Sequence, residues 1–266
     1  MIDVVITIVG TLLYIATTVV LLKQLPKHQN EKNKKLILWL SSAAVIFHAD
    51  MLARHIFTNV GLQMGINHAA SLATWFIACL LVLAMFKKPV ENLGLIIMPL
   101  AALTLIIETS FPVSHLVSTH DQHGLGIHIL LSILAYALFG LAMVQAFVLS
   151  IQERHLHNRH PGGFIRTLPP LETMETLLIQ MISIGFALQT VSLLSGFVYL
   201  ENMFEQKLAH KTILSIIAWG VFGTFLYGRW RFGWRGRTAV RWTTAGFVIL
   251  CLAYFGSKYV LEIILN

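Results

Sequence analysis

Eight apolar stretches, each close to the roughly 20 residues that a helix needs to cross a bilayer core, divide this chain from end to end. They run over 2–22, 36–58, 66–86, 93–111, 125–151, 176–200, 211–228 and 241–263. Charged residues or Gly/Pro punctuation bound each one. The composition agrees, with 56% apolar and 12% charged residues among 266. A soluble domain carries about 25% charge, enough to clothe a surface in water. This composition excludes a cytosolic enzyme, a nucleic-acid-binding domain and a disordered chain. The expected fold class is all-α: a polytopic membrane bundle of eight transmembrane helices, forming one integral membrane domain over 1–266 with no soluble domain.

Charge sets the expected orientation. Fifteen of the nineteen Lys and Arg residues fall in the four segments 23–35, 87–92, 152–175 and 229–241, all on one side of an eight-span arrangement. The positive-inside rule assigns that side to the cytoplasm and both termini to the periplasmic side of a bacterial inner membrane. The first span has Asp3 where a signal peptide would have a basic region, and no small-residue cleavage site follows, so it reads as a retained span. The longest basic loop contains Pro169 and Pro170, after which Leu171–Leu178 should restart a helix with Glu172 and Glu175 favourable in its first turn. Cys79 and Cys251 lie inside apolar runs and read as packing residues.

Twelve histidines are many for so apolar a chain. His28, His155, His157 and His160 fall in cytoplasmic loops and read as solvated. The expected orientation puts His55, His68, His115, His120, His123, His128 and His210 at or near the outer face, with His48 near mid-membrane below them. A histidine at a membrane interface is ordinarily a polar anchor or a helix–helix hydrogen bond, and that reading stands for His48 beside a functional one. Ionisable groups inside a membrane are costly and tend to be functional, and imidazole is a versatile metal and haem ligand. Two histidines from different helices can hold a haem iron on both faces. His128, Ser132, Ala135 and Tyr136 share one helix face, with a ligand at its top and little bulk below, which suits a flat cofactor. Asp50 and Arg54, four apart, should form an ion pair along one helix. Together with His48 they also suggest a proton or small-cation path. The run Arg229–Arg237 mixes aromatics with arginines and reads as an interfacial aromatic belt with positive-inside charge, not as a nucleic-acid site.

At residues 128–149 the sequence HILLSILAYALFGLAMVQAFVL resembles cytochrome c assembly proteins of the CcsA, CcmC and CcmF type, in which a histidine opens a helix and a tyrosine follows eight positions on. HADMLARHIF and NHAASLATWFI resemble that family's second and third spans. LPPLETMETLLIQMISIGFALQTVSLLSG resembles the approach to its outer signature loop, and HKTILSIIAWGVFGTFLYGRWRFGWRGRTAVRWTTAGF the helix and Gly-Trp-Arg-Gly turn beyond. The match covers most of the chain and is nearest to the short branch that includes HemX and YpjD. The resemblance implies a non-enzymatic role in cytochrome c-type biogenesis, with haem b presented at the outer face. It implies His128 and His210 as ligands of the haem iron and His48 as an embedded histidine, with Tyr136 beside the cofactor. Haem, apocytochrome c, other inner-membrane proteins and the lipid bilayer would be the partners, and nucleic acid would not. Two departures from the family pattern are plain: residues 197–210 contain no tryptophan, and Tyr227, Gly228 and Arg229 stand where an embedded histidine is expected. They favour the alternative, a non-catalytic accessory or regulatory subunit of another inner-membrane complex, such as a transporter, that keeps the fold without haem.

Overall fold

A computed structural model of the chain describes residues 2–24, 31–58, 61–63, 65–111, 116–117, 123–158, 168–199 and 206–256. Its helices are α1 (Ile2–Gln24), α2 (Glu31–Ile56), α3 (Ile66–Met85), α4 (Gly94–Ser110), α5 (His123–His157), α6 (Leu171–Tyr199), α7 (Gln206–Phe232) and α8 (Gly236–Cys251). Eight helices among the described residues are long and apolar enough to cross a membrane. All eight expected spans are therefore present as helices. The largest differences are at the ends. Helix α2 starts at Glu31, because Lys32, Lys34 and Lys35 are good helix formers that need no membrane. Helix α5 is 35 residues long, more than a bilayer core requires. Helix α6 starts at Leu171, directly after the two prolines, as the sequence implies. Helix α8 passes into a π-helical turn, Leu252–Gly256, and the rest of the expected last span lies outside the described residues.

The chain divides into two compact units. The first comprises residues 1–119 with 159–169. Here α1 packs on α2 and α4, and α3 packs on the same two, so the four helices close a ring. Polar side chains tie them across the apolar interior. Trp75 donates Nε1–H to the Val45 carbonyl at 2.9 Å, and Thr74 and Thr104 meet at 2.6 Å. Lys34 reaches the buried Glu91 at 3.0 Å, near the start of α4. At the other end, three short strands, β1 (Phe57–Thr58), β2 (Gly61–Gln63) and β3 (Leu116–Val117), form an antiparallel sheet in that order. These strands are an addition that the hydropathy pattern does not reveal.

The second unit comprises residues 120–158 with 170–266. It repeats the ring plan: α5 packs on α6 and α8, and α7 on the same two. Its centre is a face-to-face stack of Phe139 and Phe222, with ring centroids 3.9 Å apart. Gly246 on α8 makes this possible, because a Cβ there would lie 2.6 Å from the Phe222 ring. Gln145 donates to the Met174 carbonyl and Gln189 to the Ser215 carbonyl, so α5–α6 and α6–α7 are each tied by an amide. The turn from α7 to α8 uses Gly233 and Gly236 at positive φ, of 69° and 50°, where a side chain would be strained. The Gly236 amide donates to Glu175 at 2.8 Å, and Trp234 folds back over Gly228 and stacks on Trp242. Trp230 and Phe232 stay exposed, as an interfacial belt requires.

Replacing Gly246 by Val should displace the Phe139–Phe222 stack and cost about 1–3 kcal/mol. Thermal unfolding of the detergent-solubilised protein would register this as a lower midpoint, and an unchanged midpoint would show that the stack can shift freely.

Candidate functional site

His128 lies in the second turn of α5 and faces α6. Its Nδ1 is 2.9 Å from the Ser192 carbonyl and 3.1 Å from Ser195 Oγ. A carbonyl can only accept, so Nδ1 carries the proton and Nε2 keeps its lone pair. A carbonyl that accepts from one ring nitrogen in this way fixes the tautomer and direction of the imidazole, as it does for histidines that bind metals. Ser132, one turn on, donates to the His128 carbonyl and also meets Ser192 at 2.6 Å. The Ser192 backbone carbonyl and Ser195 Oγ thus hold the ring, while Ser132 braces the same α5–α6 seam through the His128 carbonyl and the Ser192 hydroxyl.

Below His128 is a cavity of about 140 Å³. Ser132, Tyr136, Gln189, Lys211 and Ser215 line it with His128, over an apolar floor that includes Phe139. Tyr136 spends its hydroxyl on the Leu250 carbonyl at 2.9 Å and stands edge-on to Tyr254. The Lys211 ammonium lies 5.4 Å from the Tyr254 ring centroid. So the face made by 128, 132, 135 and 136 does border a cavity, as its small residues suggest. A void of about 150 Å³ accommodates a benzene-sized guest. Among the described residues the cavity takes one ring or a side group of a macrocycle.

The other expected ligands sit differently. His210 is exposed on α7 and is not among the residues lining this cavity, whereas its neighbours Lys211 and Thr212 are. His48 is fully buried in the first unit, with Nδ1 3.1 Å from the Tyr14 hydroxyl and Nε2 2.8 Å from Ser71 Oγ. It therefore clasps α1, α2 and α3 together through both ring nitrogens, and ligation at either one would require opening a hydrogen bond. Arg54 pairs with Asp50 at 3.1 Å, as their spacing implies, and also approaches Asp3 at 3.9 Å. His155 and His157 are exposed. His28, His115, His120 and His160 lie outside the described residues, and for His123 only the helical backbone is described. Cys79 and Cys251 are free thiols.

One polar cluster was missed. His55, at the end of α2, has Nδ1 3.2 Å from Oε1 of Glu108, on the last turns of α4. His68, in the first turn of α3, is edge-on to His55 with ring centroids 5.9 Å apart. Glu108 is completely buried. The signal was present, since Glu108 is an acid within an apolar span and such residues are costly unless partnered. What the sequence does not display is which histidine it meets.

The chain is similar over residues 5–265 to the family described as cytochrome c assembly protein. It belongs to that family, and it is a multi-pass inner-membrane protein. It is 31% identical to the inner membrane protein YpjD of Escherichia coli (strain K12) over 227 residues, 83% of this chain and 84% of that one. It is 24% identical to protein HemX of Brevibacillus brevis over 48% of each chain. It is 29% identical to the cytochrome c biogenesis protein CcsA of Gloeobacter violaceus over 38% of this chain and 30% of that one. No solved structure matches it.

The His48 clasp makes a stability prediction. Ser71→Ala should cost about 0.6–2 kcal/mol, the range for interhelical hydrogen bonds in membranes. His48→Leu, which leaves two buried hydroxyls without that partner, should cost more. Melting curves in detergent compare them, and equal stability of both variants and wild type would show the clasp to be dispensable.

Proposed function

We propose that this protein handles haem in cytochrome c biogenesis, binding it at the outer face of the membrane through His128 and passing it on without chemistry on the ring. The observation that carries this reading is the carbonyl-fixed imidazole of His128 beside a cavity in a chain of this family. The donor chemistry fits: a neutral imidazole with an oriented Nε2 is a good axial ligand to haem iron. The volume fits only in part, so the macrocycle would be held at the cavity and not enclosed by it. Haem b would supply the iron to which the imidazole binds. The chain's own contribution is to fix the His128 tautomer through Ser192 and Ser195. It also offers cationic Lys211 beside an otherwise apolar surface, suited to a carboxylate-bearing ring. His210 is proposed as the second ligand, with apocytochrome c as acceptor; neither Tyr136 nor His48 has a free polar atom that would make it a first choice.

A second reading rests on the size of the cavity. A cavity that takes only a ring or side group among the described residues suits a non-catalytic accessory subunit of another inner-membrane complex that retains the fold.

Haemin titrated into the detergent-purified protein separates the two. The haem reading expects a Soret band that shifts on binding, and His128→Ala should abolish it or weaken binding by at least about 10-fold. His210→Ala should alter the spectrum if it is the second ligand. A colourless protein that ignores added haemin, and co-purifies with a stoichiometric partner, would establish the accessory reading instead.

A further inference from the structure

The cluster of His55, His68 and Glu108 lies in the first unit, belongs to none of the machinery above and has the composition of a metal centre. Each residue offers one ligand atom, and these atoms all lie within 4.8 Å of one another. Each sits at a helix end, on α2, α3 and α4, so three separate elements converge on one point. The ring plan of the unit brings those ends together independently of any metal.

An independent observation points to a missing partner. Glu108 is 0% exposed, and while Oε1 faces His55, its Oε2 has no hydrogen-bond partner. A buried carboxylate oxygen without a partner is expensive, and the expense is greater at membrane depth. His68 is 2% exposed, and its Nδ1 has the Gly65 amide at a long 3.4 Å. Arg54, the nearest cation in sequence to His55, is engaged by Asp50 and Asp3.

We propose that His55, His68 and Glu108 bind a divalent transition-metal ion of the Zn²⁺ type. Two imidazoles and one carboxylate select a borderline ion of the zinc, cobalt or nickel kind over calcium or magnesium, which prefer all-oxygen shells. The 3.2 Å between His55 Nδ1 and Glu108 Oε1 is close to the edge of a tetrahedron with ligand bonds of about 2.0–2.1 Å. The widest separation in the cluster exceeds that edge, and a side-chain adjustment on the order of 1 Å closes it, with bonds of that length. Three protein ligands leave a fourth position for water or an exogenous group, the open form of a zinc site. The bound ion gives Glu108 the positive partner that its second oxygen lacks. It also cross-links three helix ends.

The test uses the full chain, purified in detergent and stripped with a chelator. Expected is one Zn²⁺ retained per chain after desalting, by elemental analysis, and the intense visible d–d bands of tetrahedral Co²⁺ when cobalt is added instead. His68→Ala and Glu108→Gln should each weaken Zn²⁺ binding by more than the roughly 10–100-fold typical of outer-shell changes. His155→Ala, a histidine outside the cluster, should bind as wild type does. Zn²⁺ should raise the melting midpoint of wild type and of His155→Ala, and leave that of Glu108→Gln unchanged. Wild-type protein that retains no Zn²⁺ and gives only octahedral Co²⁺ spectra overturns the proposal and leaves a His55–Glu108 hydrogen bond. Binding undiminished in both cluster variants overturns it equally. The site is independent of His128, so the haemin titration of Glu108→Gln should match wild type whether or not the haem reading holds.

Discussion

A polar group left without a partner in hydrocarbon costs several kcal/mol, and this cost governs the interior of both four-helix units. Helices satisfy their own backbones. Side chains must find partners on a neighbour, and they do so at nearly every level. His48 spans three helices through Tyr14 and Ser71. Thr74 meets Thr104, Gln145 meets the Met174 carbonyl and Ser132 meets Ser192. In lipid there is no hydrophobic force to push helices together, so close packing at small residues and these bonds set which faces meet. Gly246 under Phe222 is the packing counterpart of the serine seam at His128.

Pairing is incomplete among the described residues, since oxygens of Glu91, Glu108, Gln145, Gln152 and Gln189 find no hydrogen-bond partner, and the two proposed sites each turn on one atom. Nδ1 of His128 is spent on the Ser192 carbonyl, which leaves Nε2 as its second ring nitrogen, and Oε2 of Glu108 is a buried carboxyl oxygen without a hydrogen-bond partner. The first is a ring nitrogen whose direction is set by its neighbours. The second is a buried oxygen that no donor serves. Both lie near a helix end, His128 in the second turn of α5 and Glu108 in the last turns of α4. Helix ends are where side-chain partners thin out and where a ligand from outside can be received.

The eight helices were legible because a membrane span must be continuous, apolar and about 20 residues long, a signal that tertiary context rarely overrides. Their ends were less so, since charged residues such as Lys34 and Lys35 continue a helix without belonging to the span. The face of 128, 132, 135 and 136 was also readable, because helical period alone aligns those positions and small residues there leave room. The ion pair of Asp50 and Arg54 followed from spacing four along one helix. Pairings between helices were not readable. That His48 would find Ser71, or His55 find Glu108, depends on which helix faces pack together, and no local pattern encodes this. Family resemblance likewise carried His210 to a ligand position, while the exposure of that residue depends on the rotation of α7 about its axis.

The small cavity and the single well-fixed imidazole bear on how such a chain would treat haem. An enclosing pocket with two fixed ligands holds haem permanently, as an electron-transfer protein requires. A protein that hands haem on needs the reverse, because uniform tight binding would oppose release. An imidazole held by Ser192 and Ser195, a cavity of about 140 Å³ among the described residues, and an exposed histidine at 210 would suit that requirement. Residues 197–210 contain no tryptophan that could stack on such a ring. The same features that weaken the case for a haem reservoir are those that a transfer station would be built from, and affinity, more than the presence of a ligand, is the quantity that separates the two.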